Sequence, residues 1–377
     1  MDDFQVFVKP VGASCNLACS YCYYLEKSEL FKESGINRMS EDVLELYIRQ
    51  HIQASSEQTI FFSWHGGEPT LSGLEYFRRI VELQKKHLPE NRSILNGIQT
   101  NGTLLNDAWC RFLKTENFIV GISLDGSERF HSVNRFRKDG KSSFDEALRG
   151  FQLLRFYEIP CEILCVVNAQ NVAYPLEVYR FFKSLKADFV TFIPLVDQLS
   201  PGSNQVSERS VPAKAFGEFL CVIFEEWKTE DIGTVKIQIF EEALRTAFGL
   251  DHSLCIFKPV CGRVPVVERN GDFYSCDHFV DSAHLIGNIL EKSLIELLEN
   301  SKQKAFGQAK LDKLPQYCLK CGVRNMCNGA CPKDRLIETP DGDPGLNYLC
   351  EGYKLFFNHS KPFVDEVSEV WKSQQSK

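Results

Sequence analysis

Between residue 4 and about residue 196, short runs of β-branched and aromatic residues alternate with stretches whose apolar positions recur every three or four residues. The strand-like runs are "QVFVKP" at 5–10, "TIFFSWH" at 59–65, "ILNGIQT" at 94–100, "NFIVGISLD" at 117–125, "CEILCVVN" at 161–168 and "DFVTFIPL" at 188–195. Helical stripes fill the gaps: Val43, Leu44, Tyr47, Ile48 and Ile52 form one, and Tyr76, Phe77, Ile80, Val81 and Gln84 form another. Six β-then-α units predict a parallel sheet, either doubly wound or a partial barrel, with functional loops at the C-terminal ends of the strands. The polar segment "DQLSPGSNQVSERSVP" at 197–212 reads as a loop or linker. A helix near 213–228, a strand "VKIQIF" and a helix near 241–248 are expected next, and from Cys255 onward short elements, turns and cysteines take over.

Composition narrows the class. In 377 residues, 44% hydrophobic and 12% aromatic side chains are enough for a large core and unlike a disordered chain. The net charge of −7 argues against a general nucleic-acid binder. No apolar run reaches the roughly 18 residues of a membrane span. The opening "MDDFQVFVKP" has acids and no apolar run, so no signal peptide is expected and the predicted compartment is the cytoplasm, where thiols stay reduced. Fifteen cysteines there point to metal or catalysis before disulfides.

Eleven of these cysteines fall in two fields. Cys15, Cys19 and Cys22 form C-x3-C-x2-C in the loop after the first strand. Three thiolates can hold three irons of a [4Fe–4S] cube and leave the fourth iron open to an external ligand; the competing reading is a zinc knuckle completed from afar. The second field holds Cys255, Cys261, Cys276, Cys318, Cys321, Cys327, Cys331 and Cys350, enough for two complete four-cysteine sites, with zinc ribbons as the alternative. Cys110, Cys161, Cys165 and Cys221 sit among apolar residues and read as core packing.

The first motif, with the aromatic after it, resembles the cluster motif of radical S-adenosylmethionine (SAM) enzymes, in which the open iron chelates SAM and the reduced cluster cleaves it to a deoxyadenosyl radical. "HGGEPTL" at 65–71 resembles that family's segment whose backbone meets the methionine amino group, which implies cofactor contacts at Gly66, Gly67 and Glu68. The resemblance further implies Ser123 at the ribose, Arg135 at the SAM carboxylate, and Tyr24 and the main chain near Val196 beside the nucleoside. "DGSERFHSVNR" departs from the family pattern at Ser127 and Ser132. The second field resembles the SPASM extension of radical SAM enzymes, which carries two auxiliary [4Fe–4S] clusters. That likeness implies Cys255, Cys261, Cys276 and Cys331 for cluster I, and Cys318, Cys321, Cys327 and Cys350 for cluster II. The implied fold is a partial (β/α)6 TIM-like barrel over 1–196, a linker and bridging helices over 197–250, and a SPASM domain with a C-terminal helix over 251–377.

Longer segments, among them "VKPVGASCNLACSYCYY", "LNGIQTNGTLLNDAW" and "CNGACPKDR", are similar to anaerobic sulfatase-maturating enzymes. That resemblance implies oxidation of a Cys or Ser in a sulfatase to Cα-formylglycine: hydrogen abstraction at Cβ, then loss of a proton and an electron. It implies as partners an unfolded or nascent sulfatase segment of the C/S-x-P/A-x-R type and an electron donor such as flavodoxin or ferredoxin, and no nucleic acid or membrane. Asp277, directly after Cys276, matches the family's general base, with His278 a secondary proton carrier. A neighbouring anionic cluster is expected to raise the aspartate's pKa. His65 and the 197–212 loop are candidates to face the peptide. The rival readings are another SPASM maturase that makes thioethers or crosslinks, and a non-catalytic metal scaffold.

Overall fold

A computed structural model describes residues 4–27, 30, 38–200 and 202–375. The chain begins with β1 (Phe7–Lys9), α1 (Glu41–Ala54), β2 (Thr59–Trp64), α2 (Leu74–His87), β3 (Ser93–Thr100), α3 (Asp107–Thr115), β4 (Ile119–Ser123), α4 (Glu128–Asn134) and α5 (Phe144–Phe156). It continues with β5 (Cys161–Val167), α6 (Pro175–Ser184), β6 (Phe189–Pro194), α7 (Ala213–Glu230), β7 (Lys236–Ile237) and α8 (Gln238–Ala247). Then come β8 (Val266–Glu268), β9 (Asp272–Tyr274), β10 (Leu285–Asn288), α9 (Leu294–Leu298), α10 (Ser301–Asp312), α11 (Gln316–Leu319), α12 (Arg324–Cys327), β11 (Ile337–Glu338), β12 (Pro344–Leu346) and α13 (Cys350–Gln375). The six predicted strands are all present; β3 begins one residue earlier than expected, at Ser93, and the others are trimmed by a residue or two at one or both ends.

Two compact units share these elements. The first takes the chain up to Leu124, His131–Cys161 and Gly262–Gly307. Its sheet runs β10-β9-β8-β1-β2-β3-β4, parallel from β8 through β4 and antiparallel at β9 and β10. Trp64, Phe62, Tyr47 and Phe77 are among its large buried side chains, and they explain why the strands and the stripes of α1 and α2 close on one another. Capping sets the helix starts: the Ser40 side chain accepts from the Val43 amide, and Asn106 accepts from those of Ala108 and Trp109.

The second unit takes Asp125–Phe130, Glu162–Cys261 and the chain from Gln308 onward. Its parallel strands run β5-β6-β7. The segment "VKIQIF" is not a full strand: only Lys236–Ile237 pairs with β6, and α8 begins at Gln238. Helical spacing wins because it buries Ile239, Phe240 and Ala243 on one face, where Phe240 packs edge-on against Phe224 and flat against Phe356. The close approach of α13 to α7 depends on two glycines: a Cβ on Gly352 would lie 2.1 Å from the Ala213 carbonyl oxygen, and one on Gly217 would lie 2.6 Å from that of Gly352. The 197–212 segment is irregular, as expected, with one bridge between Gln198 and Val206; its Pro201 lies outside the described residues.

The hairpin β8–β9 was not foreseen. Its turn, Asn270-Gly271 between "PVVE" and "DFYS", is the commonest short hairpin signal, with Gly271 at φ +89°. The hairpin sets Glu268, Cys276 and Asp277 at the edge where β8 joins β1.

Candidate active site and metal centres

β1 ends at Lys9, and the chain turns through Gly12, at φ +57°, into the three-cysteine loop. Three segments hold that loop. The amides of Gly67 and Glu68 donate to the carbonyls of Gly12 and Ser14 at 2.7 and 2.9 Å. From the other side, the amides of Ala18 and Ser20 donate to the carbonyls of Phe136 and Asn134. Asn16 donates to Thr103 Oγ1 at 2.8 Å, and Asn101 Nδ2 donates to Asn16 Oδ1 at 2.9 Å and lies 3.7 Å from Cys15 Sγ.

Gly67 of "HGGEPTL" is required by the packing of the chain itself: a Cβ there would stand 2.2 Å from the Ser14 carbonyl oxygen, so the glycine permits contact with the three-cysteine loop. Because both amides point at that loop, carbonyl oxygens are what the turn can offer a methionine amino group. Glu68 is buried, and its carboxylate is engaged by protein: Oε1 accepts from the Thr70 amide, Thr70 Oγ1 and Thr100 Oγ1, and Oε2 from the Asn101 amide. It locks the turn after β2 to the end of β3. Ser123 closes β4 and accepts from Gln99 Nε2 at 3.2 Å. Arg135 is buried, with its guanidinium 5.3 Å from the Tyr21 ring. Val196 lies in the second unit, half-buried, two residues beyond β6.

Beside the loop lies a buried polar cluster. Lys9, 2% exposed, has its ammonium 2.5 Å from Asp277 Oδ1 and 4.0 Å from the centre of the Tyr24 ring. The Tyr23 hydroxyl donates to Asp277 Oδ2, and that of Tyr24 donates to Glu268 Oε1. Asp277 is held low by the side chains around it. Burial pushes its pKa up, but the Lys9 charge, His278 and the bonds from Lys9 and Tyr23 outweigh that and bring it down to about 2. Burial drives Glu268 the other way, above the usual carboxylate range, despite its bond from Tyr24. Lys9 and Glu268 were missed from sequence. The available signal was a charge set within an apolar strand, in "VFVK" and in "PVVE". His278 packs against Tyr23 with ring centres 4.8 Å apart. His65 stacks on Phe7 at 3.9 Å and shares a hydrogen bond with Ser63 Oγ.

No disulfide joins any of the fifteen cysteines. Cys110 and Cys165 are buried in the core as expected, whereas Cys161 and Cys221 are half-buried. In the second unit Cys318, Cys321, Cys327 and Cys350 line one cavity with Tyr317, Lys354 and Arg324. Cys350 opens α13, so the Gly352 contact with α7 sets where this sulfur stands. Burial pushes the Cys327 thiol up to about 12, with Cys350, Cys318 and Cys321 adding to it; burial likewise holds Cys15 and Cys331 at about 12. Thiols crowded in this way cannot ionise together without a cationic core, which is the condition a metal centre relieves. The donor set therefore fits a metal centre. Cys255, Cys261 and Cys331 surround Lys310, whose ammonium donates to the carbonyls of Cys255 and Ile256 at 2.8 Å each. Cys276 follows β9 in the first unit, within electrostatic reach of Tyr23.

The radical SAM superfamily pattern matches residues 10–182, and the SPASM iron–sulfur cluster-binding domain matches residues 261–322. The chain is 42% identical to a serine-type anaerobic sulfatase-maturating enzyme of Bacteroides thetaiotaomicron, across 98% of this chain and 92% of the relative. It is 33% identical to a cysteine-type enzyme of Clostridium perfringens, across 98% and 99%. It also resembles the solved structure of native anSMEcpe with bound AdoMet and Kp18Cys peptide, at a TM-score of 0.88 and 32% identity over 98% of this chain and all of that one. No helix among the described residues is long and apolar enough to cross a membrane.

Proposed function

The chain belongs to the anaerobic sulfatase-maturating family of radical SAM enzymes, and from that premise we propose that it oxidises one Cys or Ser in an extended sulfatase segment to Cα-formylglycine, with Asp277 as the base. Cys15, Cys19 and Cys22 would hold the SAM-binding cluster. Cys318, Cys321, Cys327 and Cys350 would hold auxiliary cluster II. Cys255, Cys261 and Cys331 would hold cluster I, with Cys276 as the fourth ligand that the family likeness gives it. Bound SAM and its three [4Fe–4S] clusters supply the radical that removes a Cβ hydrogen and a path for the departing electron.

The residues of the chain manage the proton. The observation that carries the reading is one hydrogen bond: Tyr23, next to ligand Cys22, donates to Asp277, next to ligand Cys276. Abstraction of a Cβ hydrogen and loss of the adjoining Sγ–H or Oγ–H proton from one side chain require this adjacency of cofactor loop and base. Lys9 keeps the carboxylate ionised and Tyr23 fixes its orientation, so Asp277 waits as an acceptor for the Sγ or Oγ proton of the target side chain, and His278 stands next in line to carry the proton away. For SAM, the turn carbonyls at Gly66 and Gly67 suit the amino group, Arg135 the carboxylate and Ser123 the ribose. The Tyr24 hydroxyl already donates to Glu268, so Tyr24 offers its ring to the nucleoside, and the family likeness gives the main chain near Val196 a place by the same group.

The domain division at 196 and 250, a flavodoxin- or ferredoxin-type donor, a C/S-x-P/A-x-R substrate motif and a reducing cytoplasm belong to the same proposal. The test is Asp277→Asn in the reconstituted protein. Deoxyadenosine should still form while formylglycine falls by roughly a hundredfold or more, as for loss of a general base. Product at the wild-type rate would assign the proton to another group.

A further inference from the structure

Arg335 lies between the two auxiliary cysteine sets and has no part in the scheme above. Its Nη1 donates to the Lys310 carbonyl at 2.7 Å, its Nε to that of Gly329 at 3.2 Å, and its Nη2 to that of Asn328 at 3.5 Å. Asn328 and Gly329 sit in the short span from Cys327, a cluster II cysteine, to Cys331, a cluster I cysteine. Two of the three anchors reach further toward cluster I: Lys310 Nζ donates to the Cys255 carbonyl, and Asn328 Nδ2 donates to that of Phe257 at 2.8 Å. Room for the guanidinium depends on Gly329, at φ +72°, where a Cβ would come within 2.8 Å of Arg335 Nη2. The charge so fixed is within electrostatic reach of Cys318 and Cys327 on one side and of Cys331 and Cys261 on the other.

We propose that Arg335 is a fixed positive charge shared by the two auxiliary clusters, and that it raises the reduction potential of both. A four-thiolate cube gains one negative charge on reduction, and a nearby cation stabilises the reduced form more than the oxidised one. A guanidinium suits the role because it stays protonated at any working pH and its fork binds several carbonyls at once. Both auxiliary sites are thereby kept able to accept the electron that leaves the substrate. This rests on the cluster ligands proposed above.

The experiment is an anaerobic redox titration of the reconstituted full chain, followed by electron paramagnetic resonance with iron counted per chain. Wild type is compared with Arg335→Gln, Arg335→Met and Arg335→Lys. The neutral variants should move both auxiliary midpoint potentials negative, Arg335→Lys should hold most of the wild-type values, and the SAM-binding cluster should stay in place as an internal control. Unshifted potentials in iron-replete neutral variants, a shift confined to one cluster, or an equal shift in Arg335→Lys would overturn the proposal. If one neutral variant sheds iron the other decides, and loss of iron from both assigns the side chain a purely structural clamp and overturns it as well. Absence of auxiliary signals from wild type would instead sink the ligand assignment, and this inference with it.

Discussion

Lys9 shows how one buried charge can organise a site. Its ammonium touches Asp277 and the face of Tyr24, and it stands at the last position of β1, immediately before the cysteine loop. Replacing it with Met strands a buried carboxylate, a change that typically costs about 3–5 kcal/mol. Lys9→Met should therefore lower the urea unfolding midpoint sharply, and adding Asp277→Asn should restore part of the loss because the stranded charge goes with it. A double mutant no more stable than Lys9→Met would show that the pair is not coupled. Burial raises the Asp277 pKa, but the same ion pair pulls it down, against the upward pull expected of a neighbouring anionic cluster, and the lysine responsible is marked in the sequence only by its place at the end of an apolar strand.

At the scale of elements, helix placement governs the cysteines. Gly352→Ala puts a methyl 2.1 Å from the Ala213 carbonyl oxygen, so α13 must move away from α7 and carry Cys350 with it. Overpacking of this kind costs about 1–3 kcal/mol, and the variant should retain about four fewer irons than wild type, read by iron assay after reconstitution. α8 braces the Cys255 loop in a comparable way. Buried Glu242 accepts from His252 Nδ1 at 2.7 Å, from the amides of Ser253 and Leu254, and from Ser253 Oγ. Burial would raise its pKa, but the bonds from His252, Ser253 and Leu254 outweigh that and hold it below the usual carboxylate range. A depressed carboxylate stabilises the fold above its unfolded value of about 4.3, and the contribution fades as pH falls through the folded value. Thermal unfolding should thus find wild type more stable than Glu242→Gln at neutral pH, with the gap closing in acid; a gap independent of pH would contradict this.

Elements with a strong period were legible in the sequence. The six strands and the stripes of α1 and α2 fall where alternation and helical spacing put them, and the cysteine spacing announced both metal fields. Other features were hidden for physical reasons. "VKIQIF" alternates locally yet folds mainly into helix, because an aromatic cluster from distant helices claims Phe240. Lys9 and Glu268 read as solvated charges until β8 pairs with β1, a contact made across more than 250 residues.

Under the ligand assignment proposed above, the cysteines divide by task, and their removal should separate by readout. Cys15→Ala should lose the SAM-binding cluster and with it deoxyadenosine formation. Cys318→Ala should lose only auxiliary iron and still cleave SAM when reduced chemically. Equal loss of SAM cleavage in both variants would contradict the division.

The most direct test of formylglycine formation is the mass spectrum of a C-x-P-x-R sulfatase peptide after anaerobic incubation with the reconstituted protein, SAM and a reductant. The cysteine side chain should lose its sulfur and gain an aldehyde oxygen, with deoxyadenosine formed alongside. A peptide unchanged in mass while SAM is consumed, or one joined internally through its sulfur, would contradict it.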